Sequence, residues 1–444
     1  MVIITSFCIL LPVIIITLLV LRLFKKKKTV AFFHPNCSSS GGGEMVLWEI
    51  VKVLLETQQL DIVIYTASDP DKKKILARVK ENFGLVFDAT RITFYSIGKT
   101  YPLVTKKYPF LTLFFQAIGS LICVFQALLK CNAEYFFDTT GCAFTYLFAA
   151  LSGGKVLSYT HYPTISSDML SVVENRETAI NNNETVARSP LLSTIKLYYY
   201  KIFAFFYWIV GKIPSLVFVN GSWTQSHIER IWGIHPILLF PPCDFKSEEC
   251  PKTKNLVISI GQFRPEKKQK TQVECMKLLF EKHPDLVGKV ELVIIGGTRD
   301  EEDNKRKEEI SGLIKKYDLT ESITIDSDVD YEKKLDYLRN AKIGLHTMVN
   351  EHFGICVVEY MGFGVIPIAN NSAGPKLDIV DQESGYLAST PDEYADAIFK
   401  IVSDDKAAEV MSKHARIRAE RFSVQNFEKE CQQHLDKFFK DNKE

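Results

Sequence analysis

The segment Glu351-His-Phe-Gly-Ile-Cys-Val-Val-Glu359 stands between two short apolar runs, Lys342–His346 and Val365–Ala369. Runs of this length, bounded by polar residues and glycine, read as buried strands of a parallel sheet. The chain between them must cross from one strand to the next, and Ile355 to Gly362 carry the pattern of a short helix. A helix that starts just after a strand offers free backbone N–H groups and the positive end of its dipole to an anion. A diphosphate would sit on Phe353, Gly354 and Ile355, where Gly354 permits close backbone approach. Glu359, about one turn into the helix, is in reach of a ribose diol. Glu351 precedes the helix, on the sugar side of the phosphates. Two solvated glutamates on a surface helix are the plainer alternative. Gly362, Gly364 and the apolar strand after them argue instead for a buried, loop-fed position.

Working outward, strand-like runs alternate with helical patterns. Before the central segment lie Leu256–Gly261, Val290–Gly296 and Ser322–Asp326, with helices over Lys267–Lys282, Glu301–Tyr317 and Tyr331–Asn340. An earlier series comprises Thr29–His34, Ile62–Ala67, Arg91–Ile97, Ala133–Thr139, Lys155–His161 and Leu216–Asn220. Strands spaced by helices indicate parallel βαβ units. Pro241-Pro242 and the polar stretch Lys246–Lys254 separate the two series, a composition shift suited to a hinge. The fold class expected is therefore α/β, with two Rossmann-like doubly wound domains at 29–245 and 255–425, a basic-flanked anchor at 1–28 and a C-terminal helix at 426–444. Ligands of paired domains of this kind bind at the carboxyl ends of the strands, in a cleft between them.

The anchor is the apolar run Val2–Phe24, long enough for about 30 Å of hydrocarbon. Lys25 to Lys28 follow it and no basic residue precedes it. A cleaved signal carries its charge first, so the flanks favour a retained span with everything after Lys28 in the cytosol. The ten scattered cysteines then read as reduced thiols. The 444 residues exceed what one core supports. A net charge of +1 supplies no field for nucleic acid. Two further apolar, aromatic segments, Tyr108–Leu129 and Leu197–Val219, read as interfacial helices on a bilayer rather than core helices or spans. Val172–Ser189, polar and asparagine-rich, reads as a mobile insertion.

Glu351-x7-Glu359 followed by Gly364-Val-Ile-Pro367 resembles the signature of the retaining GT-B glycosyltransferases of family 4. The likeness extends to Gly261-Gln-Phe-Arg-Pro-Glu-Lys267, similar to the strand-end loop that binds the donor diphosphate through a Lys and an Arg. Lys267 matches the Lys. The family Arg directly after the Gly is Gln262 here, and Arg264 lies two residues on. Gly41-Gly-Gly-Glu44, Thr160-His-Tyr-Pro163 and the anchor resemble the branch of eukaryotic endoplasmic reticulum enzymes that add α-1,2-linked mannose. The resemblance implies GDP-mannose as donor and a dolichol-linked oligosaccharide as acceptor, taking its fourth and fifth mannoses. It also implies retention of configuration, no metal or cofactor, and a place on the cytosolic face of the reticulum membrane. Other mannosyltransferases of that membrane are candidate partners.

The chemistry asks for these residue types. Cleavage of the anomeric C–O bond puts negative charge on the leaving diphosphate. Lys267, Arg264 and the helix end after Glu351 would stabilise it. Gly42 and Gly43 open a helix after the first strand, as a flexible linker or as a loop approaching the diphosphate; the pattern is not GxGxxG, so a nicotinamide enzyme is disfavoured. A lone His161 at a strand end is more often structural. The family likeness puts it beside the transferred sugar, polarising the reaction centre. The aspartates Asp69, Asp71, Asp326, Asp328 and Asp330 sit at helix starts and read as caps rather than metal ligands. Another donor or lipid acceptor, or a catalytically silent membrane scaffold, are the remaining alternatives.

Overall fold

The structure, a computed structural model, describes the chain apart from Met1, Ser68, 99–107, Pro109, 178–181, Asn183, 246–251, 253–254 and 443–444, and apart from the side chains of residues 2–9. Most of the polar stretch Lys246–Lys254 therefore lies outside the described residues. The chain divides into two compact units. One comprises Met1–Asn220, Thr224–Phe240 and Glu428–Glu444; the other comprises Gly221–Trp223 and Pro241–Phe427.

In the first unit seven parallel strands are ordered β3-β2-β1-β4-β5-β6-β7. They are β1 Lys26–Phe33, β2 Asp61–Thr66, β3 Ile92–Ser96, β4 Ala133–Asp138, β5 Lys155–Thr160, β6 Leu216–Val219 and β7 Ile237–Leu238. The order reverses between β1 and β4, where Phe33 lies beside Asp138. Residues just past those strands thus stand at a topological switch point, where such sheets take ligands. The helix Gly42–Thr57 covers one face because Val46, Leu47, Ile50, Val51 and Leu54 recur at helical spacing and are all buried. The C-terminal helix Val424–Asp441 belongs to this unit from Glu428 onward. Phe438 and Phe439 meet Tyr135 edge-on, and Lys52 pairs with Glu428.

The expected anchor is helical over Val2–Leu21. Leu10, Leu11, Val13, Ile16, Leu19 and Val20 are exposed, and Leu18 is buried. The segment expected over Tyr108–Leu129 is a helix at Thr112–Lys130, the one described helix long and apolar enough to cross a membrane. A third of it is buried: Cys123, Val124, Ala127 and Leu128 enter the core while Phe114, Ile118 and Ile122 face outward. The segment expected over Leu197–Val219 needs correction. Its helix begins earlier, at Pro190, with Ser189 as cap, and ends at Val210; its last residues are strand β6, because the chain turns at Gly211 and Pro214. Ile195, Tyr198, Ile202, Phe205 and Phe206 of this helix are exposed. The expected insertion Val172–Ser189 is helical at both ends, in Ser167–Glu174 and Glu184–Arg188; its asparagine-rich middle falls mostly outside the described residues.

The second unit has six parallel strands in the order β10-β9-β8-β11-β12-β13. They are β8 Asn255–Ile260, β9 Val290–Gly296, β10 Ile323–Ser327, β11 Ile343–His346, β12 Ile366–Asn370 and β13 Tyr386–Ala388. Here the switch point falls between β8 and β11, paired through Ile343 and Val257. Strands β7 and β13, of two and three residues, are too short to carry a sequence period.

Candidate active site

The two loops singled out in the sequence leave the two switch-point strands of the second unit. Beyond β8 the chain passes Gly261 and makes a 3-10 turn, Pro265–Lys267. Thr347, just past β11, ties this turn down: its hydroxyl donates to the Lys267 carbonyl at 2.7 Å and accepts from Gln272 at 2.9 Å. Lys267 Nζ thereby reaches Glu351 Oε2 at 2.8 Å. Arg264 does not join this cluster. It lies 3.9 Å from Glu266, its side chain 43% exposed.

After β11 the chain runs through Glu351 to Gly354, and the helix Ile355–Gly362 starts as expected. Gly354 has φ 109°, left-handed backbone that a side chain would strain. Its carbonyl accepts from Val357 N–H at 2.9 Å. Phe353 is buried with its ring against Phe422, so it offers a ligand backbone, not a side chain. A second glycine, Gly374, holds the loop from the other side. Its N–H donates to the Glu351 carbonyl at 2.9 Å, and a Cβ there would lie 2.6 Å from the carbonyl oxygens of His352 and Phe353.

Glu351 is nearly buried, which by itself would push its carboxyl up. The adjacent His346 ring and the charge of Lys267 outweigh burial and hold it far below the carboxylate range. Burial would likewise push His346 down, yet the Cys356 sulfur and Glu351 raise it to about 9. Lys267 is raised too, its burial outweighed by Cys356, Glu351 and Glu266. Glu351 on one side and Lys267 and His346 on the other therefore favour each other's charged forms. Glu359, in the helix, meets Lys334 Nζ through Oε1 at 2.8 Å. Lys334 is raised because Glu359 outweighs its desolvation.

His161, Gly42 and Gly43 belong to the first unit. His161 follows β5, its ring 4.8 Å from that of Tyr159. A Cβ on Gly43 would sit in ordinary contact with the ring, 3.5 Å from His161 Nε2, so the two residues are neighbours. His34, past β1, approaches Glu44 Oε1 at 3.6 Å and Thr139 Oγ1 at 2.7 Å. Glu44 is lowered: burial is outweighed by His34 and by a hydrogen bond to its own backbone N–H. The helix end at Gly42 thus already holds a carboxylate. The aspartates all have protein partners. Asp71 and Asp330 cap helices, Asp69 pairs with Lys74, Asp328 accepts from Thr298, and Asp326 accepts from Tyr337 and pairs with Lys333.

A family model described as ALG11 mannosyltransferase N-terminus matches residues 27–232, and one described as glycosyl transferases group 1 matches 242–418. A Dictyostelium discoideum protein named GDP-Man:Man(3)GlcNAc(2)-PP-Dol alpha-1,2-mannosyltransferase is 38% identical over 402 residues, 87% of this chain and 80% of its own. Homo sapiens and Caenorhabditis elegans proteins of the same name are 37% and 38% identical, covering 90% and 89% of this chain and 84% and 88% of their own. The chain belongs to this family of α-1,2-mannosyltransferases. Among solved structures, sucrose-phosphate synthase from Thermosynechococcus elongatus aligns with TM-score 0.66 at 17% identity, over 93% of this chain and 99% of its own. TarM aligns with TM-score 0.63 at 14%, over 94% and 98%. These likenesses give the fold, GT-B, with two parallel-sheet Rossmann-like domains.

Three residues of this mannosyltransferase's candidate site carry little or no signal in the sequence. Gly374 has a local signal, the Gly374-Pro375 turn after β12. The sequence marks His346 only as the end of a strand. Lys334 is one of two adjacent lysines, and nothing local separates it from Lys333, which pairs with Asp326 instead.

Proposed function

We propose that this chain transfers mannose from GDP-mannose to a dolichol-diphosphate-linked oligosaccharide in α-1,2 linkage, adding the fourth and fifth mannoses with retention of configuration. The observation that carries the reading is the second unit's switch-point cluster. Lys267 stands beside Glu351, and the open helix end at Ile355 faces the same loop. Cleavage of the anomeric bond sheds a diphosphate whose charge Lys267 and the aimed N–H groups stabilise without a metal, with Arg264 as a more exposed second cation. Glu351 takes a hydroxyl of the donor sugar, Glu359 takes the ribose, and backbone at Phe353, Gly354 and Ile355 takes the phosphates. His161 polarises the reaction centre from the first unit, with Gly42 and Gly43 leaving room for it. No side chain serves as covalent nucleophile; a leaving-group phosphate oxygen accepts the acceptor's proton as the new bond forms on the same face.

The acceptor's lipid requires a membrane. The apolar Val2–Leu21 helix with Lys25 to Lys28 after it supports a single-pass anchor in the endoplasmic reticulum with the rest cytosolic. Exposed apolar residues on the Thr112–Lys130 and Pro190–Val210 helices support bilayer contact by the first unit. The eight described cysteines are all free thiols, compatible with a reducing compartment.

The test uses the purified full chain with labelled GDP-mannose and a synthetic lipid-linked pentasaccharide of three mannoses and two N-acetylglucosamines. Two successive α-1,2-linked mannoses in the product are expected. Transfer from UDP-sugars and none from GDP-mannose would overturn the donor assignment.

A further inference from the structure

We propose that His346 is a positioning residue: together with Lys267 it holds one oxygen of Glu351, so that the other is presented to a hydroxyl of the donor sugar. This rests on the reading above in which Glu351 faces that sugar.

His346 is the last residue of β11 and only 3% of its side chain is exposed. Its backbone is fixed twice, by the β12 register opposite Ala369 and by Tyr394, whose hydroxyl donates to the His346 carbonyl at 3.0 Å. The ring spans two elements. Nδ1 lies 3.3 Å from Cys356 Sγ, in the helix that starts at Ile355. Nε2 lies 3.4 Å from Glu351 Oε2, in the loop before that helix. Lys267 Nζ approaches the same Oε2 at 2.8 Å. Both nitrogens therefore converge on one carboxylate oxygen, Lys267 through a hydrogen bond and His346 through a longer approach in which its buried Nε2 completes none. Oε1 has no such contact among the described residues, and 15% of the Glu351 side chain is exposed.

A glutamate has three rotatable side-chain bonds, and anchoring one oxygen from two directions removes most of that freedom before the ligand arrives. The geometry also divides the labour. Lys267 is on the strand-end turn whose proposed ligand is the diphosphate, so donor binding draws on it. Of the positions assigned to the donor, His346 meets Glu351 alone. Its effect on turnover must pass through the carboxylate, as that of an outer-sphere partner does.

The experiment measures kcat, KM for GDP-mannose and Ki for GDP with the lipid-linked pentasaccharide, for wild type, His346→Gln, Glu351→Gln and the double variant. GDP lacks the sugar, so it reports the diphosphate and nucleoside contacts alone. Expected for His346→Gln is a roughly 10- to 100-fold loss of kcat/KM for GDP-mannose, with the Ki for GDP within about threefold of wild type. On the Glu351→Gln background the same substitution adds little, since the carboxylate it positions is gone. Cys356→Ala removes the other ring contact and keeps the preference for GDP-mannose over GDP. Equal losses for GDP and GDP-mannose, additive effects in the double variant, or a Cys356→Ala phenotype matching His346→Gln would each make His346 a strut for the helix and overturn the proposal. A Glu351→Gln variant with unchanged preference for GDP-mannose removes the site reading and the proposal together; a changed preference there beside a normal His346→Gln removes the proposal alone. His346→Asn is run through the same measurements and carries the same expectation where the Gln variant does not fold.

Discussion

Two corners of the molecule use one building plan to opposite effect. Each leaves a switch-point strand, β1 or β11, with a histidine at its end, His34 or His346. Each then passes a glycine, Gly41 or Gly354, into a helix, and each carries a glutamate beside the histidine. In the first unit the glutamate, Glu44, lies inside the first turn. A Cβ on Gly41 would run into its Oε2, so the carboxylate folds back over its own helix end. In the second unit Glu351 lies before the helix and is drawn aside by Lys267 and His346. One helix end is thus occupied by the protein's own anion, while the other stays open to a ligand's. Where the glutamate sits relative to the glycine decides whether its carboxylate falls on the helix end or is drawn away from it.

The largest test of this contrast is Lys267→Ala. It removes the cation that stands by the open helix end, and a loss of about 10²- to 10³-fold in kcat is expected from the size of such electrostatic contributions. Arg264→Ala, by contrast, alters a half-exposed side chain and should lower kcat/KM by less than about tenfold, in line with a solvent-screened charge. Assays of both variants with GDP-mannose decide it: equal losses would make Arg264 a full partner in holding the diphosphate.

A smaller effect separates the two glycines. Gly354→Ala forces a side chain into left-handed backbone and should destabilise by roughly 1–2 kcal/mol, raising KM for GDP-mannose as the helix end shifts. Gly41 has φ −90°, open to any residue, and the crowding atom there ends a flexible side chain, so Gly41→Ala should melt close to wild type. Calorimetry of the two variants reads the difference directly, and a neutral Gly354→Ala would remove the argument from backbone strain.

The smallest effect is in pH. Glu351 is lowered on folding from an ordinary 4.5, so its contribution to stability is complete above about pH 4.5 and fades as pH falls below it. His346 is raised from 6.5 to about 9, so its contribution is complete below pH 6.5 and fades as pH rises through about 9. Thermal melts between pH 6.5 and 9.5 should therefore show a gradual decline in wild type that flattens in Glu351→Gln, where the partner charge is missing. Glu44 is lowered as well, so Glu44→Gln should change the acid side of the curve and leave the alkaline side alone.

Much of this was legible along the chain. The helix Tyr331–Asn340 and strand β9 fall at their expected residues, because an amphipathic helix and a mostly apolar strand each have one favoured way to bury. The corner from Glu351 to Glu359 was legible for the same reason, since a strand, a glycine and a helix in succession constrain each other locally. The exact span of the Pro190–Val210 helix was not legible. An all-round aromatic run has no polar face to mark its ends, and the Ser189 cap decides where it starts. The partners of the charged residues were also hidden. Lys333 and Lys334 are neighbours, yet one meets Asp326 of strand β10 and the other Glu359 of the helix Ile355–Gly362, a choice made by the rotation of their helix against two different elements.

By itself the sequence determined the alternation of strands and helices, the glycine-led helix at Ile355, and the residue types needed to receive a diphosphate, all consequences of local period and backbone freedom. Only the tertiary structure decided that Lys267 and His346 converge on a single oxygen of Glu351, that Gly374 closes the loop from behind, and that the C-terminal helix from Glu428 belongs with the first unit. Those facts depend on which strands meet at a switch point and on how far side chains reach once they do, and no one-dimensional pattern carries either.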